Sequence, residues 1–278
     1  MKKLAINGGS SVGKVNVPKW PVFDQTEIDL VTEVVKSGYW GIGGTKVKEF
    51  EEKFANFCGV KYGIAAANGT VTLRLALEAL GIGPGDEVIV PGLTFQATAA
   101  AVLDVNAVPV LVDIDPNTFT IDPKAIEAAI TSRTKCIIPV HLYGRVADMD
   151  SIMTIARKYN LYVIEDCAHQ HGSEWDGKKV GSIGDIGSFS LQAYKTLNAG
   201  EGGIMTTKDD RLGELLGSLR NIGNPVYPGA RSIQSGNYRM TEFQAAILIA
   251  QLSRLNDQIE LREKNVFYME DKIKNIDG

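Results

Sequence analysis

The chain has 278 residues, 44% hydrophobic and 22% charged, with 29 Lys+Arg against 33 Asp+Glu and a formal net charge of −4. This is the composition of a folded globular protein, long enough for one large core or for one core and part of a second. With no basic stripe to neutralise phosphates, nucleic acid is disfavoured and not expected as a partner.

The most apolar stretch, 97–112, is interrupted by Asp104, Asn106 and Pro109, and Lys2-Lys3 leads only into Leu4-Ala5-Ile6. Neither a membrane span nor a signal peptide is expected. Cys58, Cys136 and Cys167 are odd in number and widely spaced inside apolar segments, which predicts reduced core thiols in a cytoplasmic protein and no zinc site.

Val47, Phe50, Phe54 and Phe57 share one helical face, with Thr45 placed to cap it and Gly59 just past its end. Strand and helix then take turns. Strands are predicted over 62–66, 87–90, 108–112, 136–140, 161–164, 186–191 and 203–206, and helices over 70–80, 94–105, 123–130, 149–159 and 210–221. Alternation with strands apolar throughout predicts an α/β fold, a three-layer α/β/α arrangement around a mostly parallel central sheet.

Past a Gly/Pro/Ser-rich stretch over 221–237, Thr241 and Gln244 form a capping-box pair that opens a helix running to about Lys274, with a break expected near Asn256-Asp257. At roughly 1.5 Å per residue such a helix outruns one domain. The expected organisation is therefore an N-terminal segment and first helix over 1–44, a large domain over 45–255, and over 256–278 the start of a linker helix toward a C-terminal small domain that is absent.

Ligands of open parallel sheets bind beyond the carboxyl ends of the strands, and four polar segments fall there. Asn68-Gly69-Thr70, between strand and helix, is either an anion-binding turn or a plain helix start capped by Thr70. Glu165-Asp166-Cys167-Ala168-His169 offers a carboxylate to a protonated ring nitrogen, or only a loop-facing pair of acids; His169 and His171 have no third ligand nearby in sequence, so metal is not expected. Lys195 follows Gly187–Gln192 and precedes Ala199–Gly203 without an amphipathic surface pattern, either a solvated lysine or one able to form a Schiff base. Asn237-Tyr238-Arg239 ahead of the capped helix binds an anion or closes a turn.

In order along the chain, Gly85-Asp-Glu-Val-Ile-Val-Pro91, Pro139-Val-His-Leu-Tyr-Gly144, Ile164-Glu-Asp-Cys-Ala-His169, Phe189-Ser190 with Lys195, Gly200-Glu-Gly-Gly203 and Asn237-Tyr-Arg-Met240 carry a resemblance from about Trp20 onward. It is to the DegT/DnrJ/EryC1/StrS aminotransferases, fold-type I enzymes of pyridoxal 5'-phosphate with an aspartate-aminotransferase-like large domain. The resemblance implies that Lys195 holds the cofactor as a Schiff base and shuttles a proton, and that Asp166 keeps the pyridine nitrogen protonated. It places Gly69, Thr70 and Ser190 at the cofactor phosphate, Phe95 against the ring and His169 beside its phenolic edge. Asn237 would reach the phosphate in a neighbouring subunit, which implies a homodimer with shared active sites.

The implied activity is transfer of an amino group from glutamate or glutamine to a keto-sugar or keto-cyclitol, in amino-sugar, cell-surface glycan or antibiotic biosynthesis. Gln192–Lys195, Ala199–Gly203 and Tyr39–Gly44 are similar to the cyclitol and 3-amino-5-hydroxybenzoate branch, and Asn237–Glu242 to the nucleotide-sugar branch. The alternatives are a 3-amino-5-hydroxybenzoate synthase-type dehydratase/aromatase and a catalytically silent cofactor-binding regulator. Lys195 argues against a family sugar dehydratase, which lacks that lysine, and the joint presence of Asp166, Ser190 and Lys195 against a silent descendant.

Overall fold

The computed structural model describes residues 3–11, 13, 18–225 and 233–276. Residues 226–232 of the Gly/Pro/Ser-rich stretch and the terminal Asp277-Gly278 lie outside it.

Two helices precede the sheet, α1 (Gln25–Ser37) and α2 (Lys46–Cys58). Then come β1 (Tyr62–Ala66), α3 (Gly69–Ala79), β2 (Glu87–Pro91), α4 (Ala97–Asp104), β3 (Val108–Val112), α5 (Pro123–Ala129), β4 (Thr134–Ile137), α6 (Met149–Tyr159) and β5 (Tyr162–Asp166). A short hairpin, β6 (Glu174–Trp175) and β7 (Lys178–Lys179), leads to β8 (Ile186–Ser190), β9 (Gly203–Thr207), α7 (Asp210–Arg220), α8 (Glu242–Ser253) and α9 (Leu255–Ile273).

Seven strands form one sheet in the order β1-β9-β8-β5-β4-β2-β3. All neighbours are parallel except β9, which runs antiparallel to both β1 and β8. Strand alternation sends Val88, Val90, Cys136, Ile164 and Met205 to one face, where α3, α4 and α7 cover them. Ile89, Ile137 and Val163 go to the other face, under α5 and α6, while Ala65, Phe189 and Ile204 meet α2 and α8 there. This is the expected three-layer arrangement, with the carboxyl ends of β2, β4, β5 and β8 along one rim.

Three local expectations change. Thr45 makes no side-chain cap; the buried Glu242 carboxylate of α8 instead accepts from the N–H groups of Lys46 and Val47 (3.2 Å to the latter) and places a negative charge at the α2 N-terminus. The helix predicted over 94–105 begins only at Ala97, which frees Thr94, Phe95 and Gln96. The break expected near Asn256-Asp257 in the long C-terminal helix falls two residues earlier, at Arg254, whose guanidinium is drawn to Asp24, the cap of α1, and to Glu27 within it. Among the described residues no helix is long and apolar enough to cross a membrane.

Candidate active site

At the rim of the sheet lies a cavity of about 910 Å³, and seven of the eight residues expected in a site line it: Gly69, Thr70, Phe95, Asp166, His169, Ser190 and Lys195. They arrive from four segments that are distant in sequence, brought together because β1, β2, β5 and β8 all end there.

Asp166 closes β5 and is only 5% exposed. Its backbone is tied to β4's extension, its N–H donating to the Pro139 carbonyl (2.9 Å) and its own carbonyl accepting from the His141 N–H (3.1 Å). Oδ2 accepts from the Thr98 hydroxyl (2.9 Å) and Oδ1 from the Ala168 N–H (3.2 Å). A carboxylate offers about four lone-pair sites, so room remains for a cationic N–H in the cavity.

Lys195 follows β8 in a turn closed by its own N–H donating to the Gln192 carbonyl (2.8 Å). It is half-buried, and among the described residues its ammonium has no ion-pair partner. Burial lowers its pKa, and the charge of Asp166 only partly restores it. A neutral amine is thereby more accessible than on a surface lysine. His169 is also held below the usual imidazole range, by burial first and by the Lys195 charge second, against the opposing pull of Asp166.

An anion cradle sits opposite these charges. Asn68, and not Thr70, caps α3, its side chain accepting from the Val71 N–H (3.0 Å). The N–H groups of Gly69 and Thr70 have no acceptor among the described residues. A Cβ added at Gly69 would stand 2.7 Å from the Ser190 Cβ, so only glycine lets the helix N-terminus approach the end of β8 this closely. Two free N–H groups with the Thr70 and Ser190 hydroxyls at a helix N-terminus suit a phosphate. Below them, the buried His171 donates from Nε2 to the Ser190 carbonyl (2.9 Å), and burial lowers its pKa to about 4. It is therefore neutral and engaged.

Asn237 is elsewhere. It lines a second cavity of about 840 Å³ together with Gly41–Gly44, Arg220, Arg239 and Thr241. Its Oδ1 faces the Arg239 N–H (3.4 Å), four residues ahead of the α8 cap, and the cap itself is the expected pair, with the Thr241 N–H donating to Gln244 Oε1 (2.9 Å).

Spacing and motif assign no individual role to several further cavity residues. Thr94 and Thr98 were hidden inside an apparently uniform helical run. Tyr143, quoted within its motif but given no role, lies in a tight turn over Leu142–Arg145, where it adopts φ 51° and Gly144 φ 83°. Its ring centroid is 6.5 Å from that of His169. Gln192, Tyr194 and Glu201 complete that wall. His141 is structural: Nδ1 accepts from the Ala147 N–H (3.2 Å), which leaves Nε2–H to donate to Glu165 (3.2 Å).

Residues 21–278 match the DegT/DnrJ/EryC1/StrS aminotransferase family. The chain is 48% identical over 259 residues to GDP-perosamine synthase of Caulobacter vibrioides, covering 92% of this chain and 69% of that protein. It is 43% identical over 280 residues to L-glutamine:2-deoxy-scyllo-inosose aminotransferase of Streptoalloteichus tenebrarius, covering 94% and 66%. It thus spans about two thirds of the length of these relatives.

Among solved structures, 3-amino-5-hydroxybenzoic acid (AHBA) synthase superposes with a TM-score of 0.90 at 38% identity, over 95% of this chain and 70% of that one. NtdA of Bacillus subtilis, solved with bound cofactor PMP, superposes with a TM-score of 0.78 at 37% identity, over 83% and 53%. From Pro21 onward, then, sequence and fold agree, and the chain belongs to the DegT/DnrJ/EryC1/StrS aminotransferase family.

Proposed function

We propose that this chain transfers an amino group from glutamate or glutamine to a ring ketone, a keto-sugar or keto-cyclitol, using pyridoxal 5'-phosphate held in the 910 Å³ cavity. The observation that carries the reading is the joint placement, in one cavity, of an unpaired, half-buried lysine, a buried carboxylate with lone pairs to spare and an anion cradle. Relatives named for a glutamine donor, an inosose acceptor and perosamine synthesis support the substrate class. The PMP-bound NtdA supports the cofactor.

When bound, the cofactor supplies a carbonyl for amines and a protonated ring that accepts electrons. The free N–H groups of Gly69 and Thr70 and the hydroxyls of Thr70 and Ser190 would bind its phosphate, and Phe95 would lie against its ring. Asp166 would hold the proton on the ring nitrogen through a charge-assisted hydrogen bond. Lys195 Nζ, with its lowered pKa, would hold the cofactor at its carbonyl carbon, water being the group lost, and once released would carry a proton between the two carbons that flank the transferred nitrogen. His169, largely neutral, would hydrogen-bond the phenolic edge. Asn237, which lines the second cavity, would serve the cofactor of a second copy across a homodimer.

Reduction with borohydride in the presence of pyridoxal phosphate, followed by peptide mapping, should place the adduct on Lys195. The same protein should convert 2-deoxy-scyllo-inosose to an amine with L-glutamine as donor, and Lys195→Ala should not. An adduct on another residue, or equal turnover by Lys195→Ala, overturns the reading.

A further inference from the structure

Thr98 is the second residue of α4, completely buried, with its hydroxyl 2.9 Å from Asp166 Oδ2 and 2.8 Å from the hydroxyl of Thr94. A hydroxyl has one hydrogen, and the carboxylate can only accept. The hydrogen of Thr98 is therefore committed to Asp166, and Thr94, one helical turn back, must donate to Thr98. The order Thr94–Thr98–Asp166 is a polarised chain of two hydrogen bonds in which each hydroxyl strengthens the next.

This chain also joins two walls of the cavity. Thr94 lies beside Phe95 in the segment that links β2 to α4, and the Thr98 N–H donates to the Phe95 carbonyl (3.1 Å). Asp166 ends β5, a strand separated from β2 by β4. With the Ala168 N–H on Oδ1 and the Thr98 hydroxyl on Oδ2, both oxygens are pinned and the plane of the carboxylate is fixed. The free lone pairs then face the same space as Phe95.

We propose that Thr98, supported by Thr94, is the positioning residue that orients Asp166 toward a cationic ring nitrogen and sets its register with Phe95. Resting on the cofactor reading above, the assignment adds two residues that touch the reaction only through Asp166. A hydrogen bond to a charged group is worth about ten- to hundredfold in the equilibrium it supports.

The test uses two compounds on the full chain, titrated by absorbance: pyridoxal phosphate, and the analogue in which carbon replaces the ring nitrogen. Thr98→Val keeps the shape and removes the hydroxyl. It should bind pyridoxal phosphate about ten- to hundredfold more weakly and bind the carbon analogue as the wild-type chain does. Thr98→Ser should restore the wild-type value, and in an Asp166→Asn background Thr98→Val should have no further effect.

Equal weakening toward both compounds means that Thr98 only packs α4, and unchanged binding means that it does not act on Asp166; either overturns the assignment. Should Thr98→Val fail to fold, Thr94→Val decides by the same pattern at smaller amplitude. A wild-type chain that binds neither compound refutes the cofactor reading and this inference with it. That outcome is distinct from a wild-type chain that binds pyridoxal phosphate while Thr98→Val binds it equally well.

Discussion

Glu165 and Asp166 are neighbours on β5, both acidic and both buried, yet they serve two regions of opposite character. Glu165 points into the loop over 181–184, where its oxygens accept from the N–H groups of Gly181, Ile183 and Gly184 (2.8–2.9 Å) and from His141. Burial pushes its carboxyl up, but the His141 hydrogen bond and charge together with the Gly184 and Gly181 N–H groups outweigh it and hold the group below its ordinary range. Asp166 points into the cavity with two protein donors and room for more. A buried charge whose lone pairs are filled by the fold is structural; one left short of partners is waiting for a ligand.

The backbone differs in the same sense. Beside Glu165 the left-handed position belongs to Gly181, where a Cβ would strike Phe189 at 2.4 Å. At the cavity it belongs to Tyr143, a bulky residue at φ 51° with 70% of its surface exposed. The loop region has resolved its strain, whereas the cavity region retains some.

The largest separation should come from Asp166→Asn, which keeps the size of the side chain and removes its charge. Amino transfer should fall by about 10²–10³-fold while the urea midpoint stays close to wild type. Near-normal turnover would erase the distinction between the two acids. Glu165→Gln should do the reverse, costing roughly 3 kcal/mol in equilibrium denaturation because the amide presents N–H to N–H where the carboxylate accepted. An unchanged midpoint would show that the 181–184 loop does not depend on that charge.

Acid should reveal a third effect. His171, near 6.5 when unfolded and about 4 when folded, binds more protons in the unfolded chain between those values. Its contribution to stability is therefore whole above pH 6.5 and declines toward pH 4, with a slope approaching about 1.4 kcal/mol per pH unit. Glu165, with a depressed folded value, adds a loss that begins only below about pH 4.5. Denaturation curves for wild type and His171→Gln from pH 7 to 4.5 should diverge, the variant being flatter; parallel curves would remove His171 from the account. The smallest effect should be a gain: Tyr143→Asn relieves the left-handed residue and should stabilise the fold by up to about 1 kcal/mol. A loss of stability would mean that the tyrosine packs where the turn needs it.

Local pattern located β1, β3 and α6 over nearly or fully their observed spans, because each is bounded by its own turn residues and carries its own periodicity. It failed where partners come from far along the chain. The Thr45 cap gives way to Glu242, which no local window contains, and the break expected near Asn256-Asp257 falls at Arg254, where Asp24 and Glu27 hold the guanidinium. Helix α1, by contrast, announces its own start, since Asp24 and Glu27 form a capping box in plain order. Seven of the eight expected residues share one cavity because they lie at or just beyond the ends of strands. Thr98 was not among those expected, since a threonine in an alanine-rich run gives no sign that a carboxylate from another strand stands over it. Asn237, expected with the seven, lines a separate cavity.

The reversed strand has a consequence for how the molecule is made. Tyr62 pairs with Thr207 and Ala66 with Gly203, so the edge of the sheet nearest the N-terminus stays open until β9 has been synthesised. Such pairing across most of the chain gives high contact order and late closure. The cradle made by Gly69 with Ser190 depends on the same event, because β1 reaches β8 only through β9. On the ribosome, then, competence to hold an anionic ligand should arise in one step once β9 has joined, and ligand capture would report completion of the sheet.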